Sequence, residues 1–244
     1  MNKQQETLNI YKQVNKILGT ENISNFMNHG YSPSYKELQG YHKIFKHQSS
    51  LYINLIKDFD TKDKSILDIG CGRGGGTDLF AQYFLFSKVV GLDISPENIK
   101  HCKNNIKNVN FFEGNAEQLP FPNNTFDFIT NIESAHCYEN LDNFFNEVKR
   151  VLKPKGVFLY TDVFDSDSLQ FYSPKMVENK LSFKKLIKED ITKNVSKACK
   201  KDFLKWKNVL KNPNHIEFWT NISKEKFVLY SLNQSKYITY ICYK

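Results

Sequence analysis

Glycine is scarce in this 244-residue chain, yet five of its 11 glycines fall within the seven positions 70–76. No apolar run approaches the roughly 20 residues of a membrane span, and Met1-Asn2-Lys3-Gln4-Gln5-Glu6 opens no apolar signal core. The five cysteines (Cys71, Cys102, Cys137, Cys199, Cys242) are odd in number and contain no C-x-x-C pair. That pattern argues against a zinc site or a disulfide framework, so the expectation is reduced thiols, no metal and a cytoplasmic setting. Acids are in deficit, 26 against 34 Lys plus Arg, for a formal charge of +8. Such a balance can serve nucleic acid or an anionic membrane. The lysines, however, run from Lys3 to Lys244 with only short pairs such as Lys184/Lys185 and Lys200/Lys201, which reads as a solvated surface. No internal repeat and no long linker interrupts the chain. One domain over 1–244 is expected, large enough for a well-buried core.

What is present is concentrated at Ile66-Leu67-Asp68-Ile69-Gly70-Cys71-Gly72-Arg73-Gly74-Gly75-Gly76. A short apolar run stops at an acid and gives way to glycines. This is how a buried parallel strand ends in a tight turn that a ligand approaches closely, because glycine tolerates φ > 0 and has no Cβ. A helix starting near Thr77 would aim its first N–H groups at the same ligand. Gly70, Gly72 and Gly75 fit the G-x-G-x-x-G dinucleotide fingerprint, with Asp93 placed as its ribose-binding acid. That match alone leaves the cofactor open between a dinucleotide and another adenosyl compound.

The flanking pattern predicts the architecture. Apolar spacing makes 1–60 an N-terminal helical cap. From 61 to 165, strands alternate with helices, the mark of a parallel sheet with crossovers and a cofactor-binding core. Strands are read at Lys88–Asp93, Val109–Phe112, Phe126–Glu133 and Val157–Thr161, and a helix from Pro96 to about Asn108 behind the Ser95 cap. Lys153-Pro154-Lys155-Gly156 is expected to close the helix carrying Phe144, Phe145 and Val148. Residues 166–234 form the expected substrate-cap region, with a strand in 182–192 and a helix over 194–210. The final strand is placed at 235–244.

Asp68 two residues before the first glycine, Asn115-Ala116-Glu117-Gln118-Leu119-Pro120-Phe121 after the third strand, and a fourth strand ending in polar groups complete a pattern. Together they resemble the successive cofactor-contacting loops of class I S-adenosylmethionine-dependent methyltransferases. The resemblance implies an α/β, Rossmann-like, doubly wound, mostly parallel seven-stranded sheet with N-terminal helices and a small C-terminal helical cap insertion. It implies S-adenosyl-L-methionine as cofactor, with S-adenosyl-L-homocysteine as product. The residues it marks for the cofactor are Tyr31, Asp68, Gly70, Gly72, Asp93, Ile94, Asn98, Asn115, Ala116, Glu117 and Asn131. Asp68 would meet the methionyl amine, Asp93 both ribose hydroxyls, Asn98 the ribose edge and Asn115 the adenine amine. Asn115 stands where this family commonly has Asp. Tyr31 either closes over the cofactor or serves as an aromatic staple.

Asn131-Ile132-Glu133-Ser134-Ala135-His136-Cys137-Tyr138, with Phe158-Leu159-Tyr160-Thr161-Asp162, resembles the phthiotriol and phenolphthiotriol dimycocerosate O-methyltransferases and their polyketide- and sugar-tailoring relatives. That likeness implies a small-molecule acceptor, lipid, polyketide or glycosylated, methylated on a hydroxyl. It assigns His136 as general base and Asp162 as its assisting acid. An imidazole with a reference pKa of about 6.5 suits deprotonation of an alcohol near neutral pH. A bound acid would fix its tautomer. The alternatives stay open: His136 as a loop cap, N-methylation of a small amine or phospho-base, or a non-catalytic cofactor-binding module. Nucleic-acid amino methylation is disfavoured, since no Asn/Asp-Pro-Pro-aromatic signature follows the fourth strand. A greasy acceptor would bring peripheral membrane contact with it.

Overall fold

The computed structural model describes residues 3–19, 25–165 and 172–244. Residues 166–171, which open the expected substrate-cap region, lie outside them. Seven strands form one sheet: β1 (Ser65–Ile69), β2 (Lys88–Asp93), β3 (Asn110–Glu113), β4 (Phe126–Ile132), β5 (Leu152–Asp165), β6 (Lys185–Asp190) and β7 (Ser235–Tyr243). Their order is β3-β2-β1-β4-β5-β7-β6. β1 to β5 run parallel, and β7 is antiparallel to both β5 and β6. This is the doubly wound, mostly parallel sheet that the sequence leads one to expect. The order reverses beside β1, which β2 and β4 flank, so a crevice opens at the carboxyl ends of β1 and β4.

β1 is buried along its whole length, as a central parallel strand covered on both faces must be. Period-2 alternation along β5 sends Val157 and Leu159 to one face and Phe158 and Tyr160 to the other. On the first face lie α3 (Lys46–Ile56) and α4 (Gly75–Tyr83), with Leu51, Ile56, Leu79 and Phe80 turned inward. On the second lies α6 (Leu141–Val151), whose Phe144, Phe145, Val148 and Val151 are each buried to within 1%. Burying such side chains stabilises the fold by about 1.5–3 kcal/mol apiece. α5 (Pro96–Asn105) starts where expected: Ser95 Oγ accepts from the Asn98 N–H at 3.2 Å.

Three elements differ from expectation. β5 begins at Leu152, not Val157: the Lys-Pro-Lys-Gly stretch remains in the strand as an irregularity, with Lys155 at φ 63°. α7 (Pro174–Lys180) and α9 (Pro213–Ser231) carry no simple apolar stripe and are not apparent in the sequence. α9 pairs with α8 (Thr192–Val209) as a helical insertion between β6 and β7. α1 (Lys3–Leu18) lies over the carboxyl end of the sheet, and α2 (Gly40–Ile44) precedes α3. No helix among the described residues is long and apolar enough to cross a membrane.

Candidate active site

β1 ends in the glycine loop, and the backbone there takes the left-handed values only glycine holds without strain: φ 71° at Gly70, 54° at Gly72 and 83° at Gly74. Gly70 is needed for space as well. A Cβ on it would lie 2.1 Å from Ser134 Oγ. The loop is tied to the next strand by the Gly72 N–H, which donates to Asp93 Oδ2 at 2.8 Å. Asp93 Oδ1 accepts from the Ser95 N–H at 2.9 Å and from Asn98 Nδ2 at 3.2 Å. Burial raises the Asp93 pKa, while these three donors favour the charged form.

Above the loop runs a cleft of two connected lobes. The first, with about 480 Å³ of unfilled space, is lined by Gly70, Asp93, Ile94, Asn115, Ala116 and Glu117, among others. The second, with about 860 Å³, is lined by Gly70, Gly72, Met27, Tyr52, Glu133 and His136, among others. Gly70, Cys137, Thr7 and Tyr11 border both, so one elongated ligand can span them. Thr7 and Tyr11 belong to α1, which roofs the cleft. Asn15 holds that helix down: its Nδ2 donates to Asn98 Oδ1 at 2.7 Å, and its Oδ1 accepts from Arg73 Nη1 at 2.6 Å.

In the second lobe, a single turn of 3-10 helix (Ala135–Cys137) follows β4 and presents His136. Its Nδ1 lies 2.7 Å from Asp162 Oδ1, and its N–H donates to Asp162 Oδ2 at 3.1 Å. Asp162 is fully buried within β5 and also accepts from the Val163 N–H and the Tyr172 hydroxyl. His136 retains 36% of its side-chain surface. Burial alone would lower its pKa, but the charge and hydrogen bond of Asp162 outweigh that and hold it well above the ordinary imidazole value. With Nδ1 committed to Asp162, Nε2 is the nitrogen left for chemistry.

The same lobe holds an acid, Glu133, for which the sequence pattern gives no role. Glu133 sits at φ 49°, accepts from the His29 N–H at 2.7 Å and from the Tyr237 hydroxyl, and lies 3.3 Å from His29 Nε2. His29 Nδ1 is in turn 2.7 Å from the Tyr230 hydroxyl. Burial pushes the Glu133 carboxyl up to about 7, against the donors that favour its charge. Burial, with Lys226 and His136 adding to it, holds His29 well below the usual imidazole range. The Glu133 partners are 104 positions away in sequence, so no local pattern marks this group.

Of the expected cofactor residues, Gly70, Gly72, Asp93, Ile94, Asn115, Ala116 and Glu117 line the cleft. Four stand elsewhere. Asn98 is spent on Asp93 and Asn15, so it orients the acid and presents no free edge to a ribose. Tyr31 lies outside both lobes and packs against the core that α3 and α4 cover, with its N–H on the His47 carbonyl at 2.8 Å. Asp68 is buried behind the loop, its oxygens accepting from Thr77 and Thr130 at 2.8 Å each. Asn131 Nδ2 donates to the Ile69 carbonyl and the Tyr138 hydroxyl, both at 2.9 Å, while its buried Oδ1 has no donor. Of the two assigned catalytic residues, His136 faces the cleft and Asp162 stands behind it.

Residues 67–160 match the family model described as a methyltransferase domain. The chain is 35% identical over 158 residues to a fatty-acid O-methyltransferase of Mycolicibacterium smegmatis, covering 63% of this chain and 57% of that protein. It is 33% identical over 164 residues to a phthiotriol/phenolphthiotriol dimycocerosates methyltransferase of Mycobacterium leprae, covering 65% and 60%. The chain thus spans less than two thirds of the length of these curated relatives. Among solved structures, a geranyl diphosphate C-methyltransferase of Streptomyces coelicolor superposes with a TM-score of 0.71 at 16% identity, covering 100% of this chain and 98% of that one. A phosphoethanolamine N-methyltransferase of Haemonchus contortus gives 0.71 at 19% identity, covering 84% and 56%. At such identities the likeness shows the fold alone.

Proposed function

We propose that this chain is an S-adenosylmethionine-dependent O-methyltransferase acting on a lipid-like small molecule. The observation that carries the reading is the pair His136–Asp162 opening onto the same cleft as the glycine loop and Asp93. The first lobe has the chemistry for an adenosine: Asp93 carboxylate oxygens for ribose hydroxyls, a close backbone approach at Gly70, and Ala116 and Ile94 for the base. The cleft joins it to a second lobe, lined by Gly70, Gly72 and Glu133, where the methionyl portion would lie. The bound cofactor supplies an electrophilic methyl carbon. The protein's task is alignment, worth up to about 7–11 kcal/mol of barrier when the reacting atoms are held in line.

For a hydroxyl acceptor, His136 Nε2 would take the hydroxyl proton as the bound cofactor's methyl group is transferred to the oxygen. Asp162 then stabilises the imidazolium. Tyr230 of α9 connects to the acceptor lobe through His29, whose N–H donates to Glu133. Purified protein incubated with methyl-labelled cofactor and lipid extracts should label an oxygen of a lipid-like product. His136→Ala should lower that turnover about 10²- to 10⁴-fold and leave homocysteine-product affinity unchanged by titration calorimetry. Full turnover in the variant, or label on an amine, would overturn the reading.

A second reading is favoured by the His136–Asp162 pair. Asp162 raises the His136 pKa and so favours the charged ring, which attracts a carboxylate, an acceptor that needs no base. The relative named a fatty-acid O-methyltransferase supports this acceptor class. Methyl ester against methyl ether in the labelled product separates the two.

A further inference from the structure

Lysines that look scattered in the sequence are gathered by α8. At about 100° per residue, Lys193, Lys197, Lys200 and Lys207 fall on one exposed face with Leu204 in their midst. Leu204 is 65% exposed. The opposite face, including Val195, Cys199 and Trp206, is buried. The helix carries a single acid, Asp202, which is itself buried and bound by His47 and Lys205. Lys193, Lys197 and Lys200 form no ion pair among the described residues.

Beside this face a groove runs between α8 and the corner joining α9 to β7. Its walls include Lys193, Lys197, Lys200, Lys236, Phe227 and Tyr230. The one carboxylate lining it, Asp190, lies 3.7 Å from Lys236 and accepts from Thr192. Leu232, 63% exposed, sits at the same corner. Tyr230 links the groove to the acceptor lobe indirectly: its hydroxyl meets His29, which meets Glu133 there.

We propose that the outer face of α8 and its groove dock this protein on an anionic phospholipid surface, with Leu204 and Leu232 entering the interface. Lysine side chains suit diffuse headgroup charge, each strengthening attachment about fivefold near an anionic leaflet. Exposed leucines set among lysines suit the headgroup–acyl boundary. A nucleic-acid surface would be expected to show arginine forks and stacking aromatics. The chain has two arginines, Arg73 buried and Arg150 bonded to Glu147, and no exposed aromatic on α8. Docked this way, the protein would hold its acceptor lobe close to a lipid supply. That consequence rests on the lipid-like acceptor reading, whereas the docking itself does not.

Vesicle co-sedimentation tests the docking without any methyl transfer. The protein should partition onto phosphatidylcholine vesicles containing phosphatidylglycerol and stay off phosphatidylcholine alone. Replacing Lys193, Lys197, Lys200 and Lys207 together by Gln should weaken the partition at least about 100-fold, with homocysteine-product affinity unchanged as the control for folding. Leu204→Ser should remove the part of the binding that survives high salt. Three results would overturn the proposal: no partition by the unmodified protein, equal partition by the quadruple variant, or displacement from vesicles by transfer RNA at trace concentration. Methylation of a soluble acceptor without vesicles tests the enzymatic reading separately.

Discussion

In the proposed reaction His136 sets which acceptor is used, because Asp162 raises its pKa. A hydroxyl acceptor needs the ring neutral, so kcat/KM would rise with pH until His136 has lost its proton and then level off. A carboxylate acceptor needs the ring charged, so kcat/KM would fall over that same interval. The raised pKa puts the break above the ordinary imidazole range in either case. A pH–rate profile therefore names the acceptor class by the sign of one slope. Asp68 gives a second titration at this scale. Burial, opposed by the Thr130 and Thr77 hydroxyls and aided by Asp93, pushes its carboxyl up to about 7. A folded-state value above the unfolded one means a stability contribution that is full at low pH and lost as pH rises through about 7. Asp68→Asn lacks that loss. Its melting temperature relative to the unmodified protein should climb between pH 5 and pH 8.5, and a difference independent of pH would refute the assignment. Neither charge state is legible in the sequence, which shows an acid before a glycine and a histidine after a strand but not how deeply each is buried.

Elements were legible where one local rule decided them. β1 and its loop announce themselves because strand, glycines and helix start lie in one uninterrupted stretch, and Ser95-Pro96-Glu97 marks α5 by capping chemistry alone. α9 stayed hidden for a physical reason. Its inward positions include His215 and Ser223 beside Trp219 and Tyr230, so the buried face is too polar to register as an apolar stripe. Ser223 is there to accept from Trp206 Nε1 at 2.9 Å, a partner on another helix. Glu133 and the α1 roof escaped in the same way, through contacts made far along the chain. Helix α4 offers a test of how tightly such elements meet. A Cβ on Gly76 would lie 1.9 Å from the ring of Tyr52 on α3. Gly76→Ala should therefore cost about 1–3 kcal/mol of stability by overpacking, measured by urea unfolding. Gly40→Ala would meet no atom within 4 Å, although its φ of 53° carries its own strain. Tyr52→Phe keeps the ring and should not relieve the Gly76→Ala defect, whereas Tyr52→Ala should relieve part of it.

At the scale of the molecule, the cleft sits on the sheet's central strands, with α1 above and the glycine loop below. A ligand bound there touches β1, β2 and β4 through residues that anchor both core layers, so its binding free energy should appear in global unfolding. S-adenosyl-L-homocysteine at about 100 times its dissociation constant would add about 2.7 kcal/mol. For a chain of this size that corresponds to a melting shift of roughly 5–11 °C. A nicotinamide dinucleotide at the same concentration should give no shift, since the glycine pattern alone admits it but the second lobe, with His136 and Glu133, does not continue as a nicotinamide site. Differential scanning fluorimetry with both ligands decides the matter. A shift from the dinucleotide and none from the homocysteine product would remove the cofactor from the reading and, with it, the roles of Asp93 and Asn115, while the fold would stand unchanged.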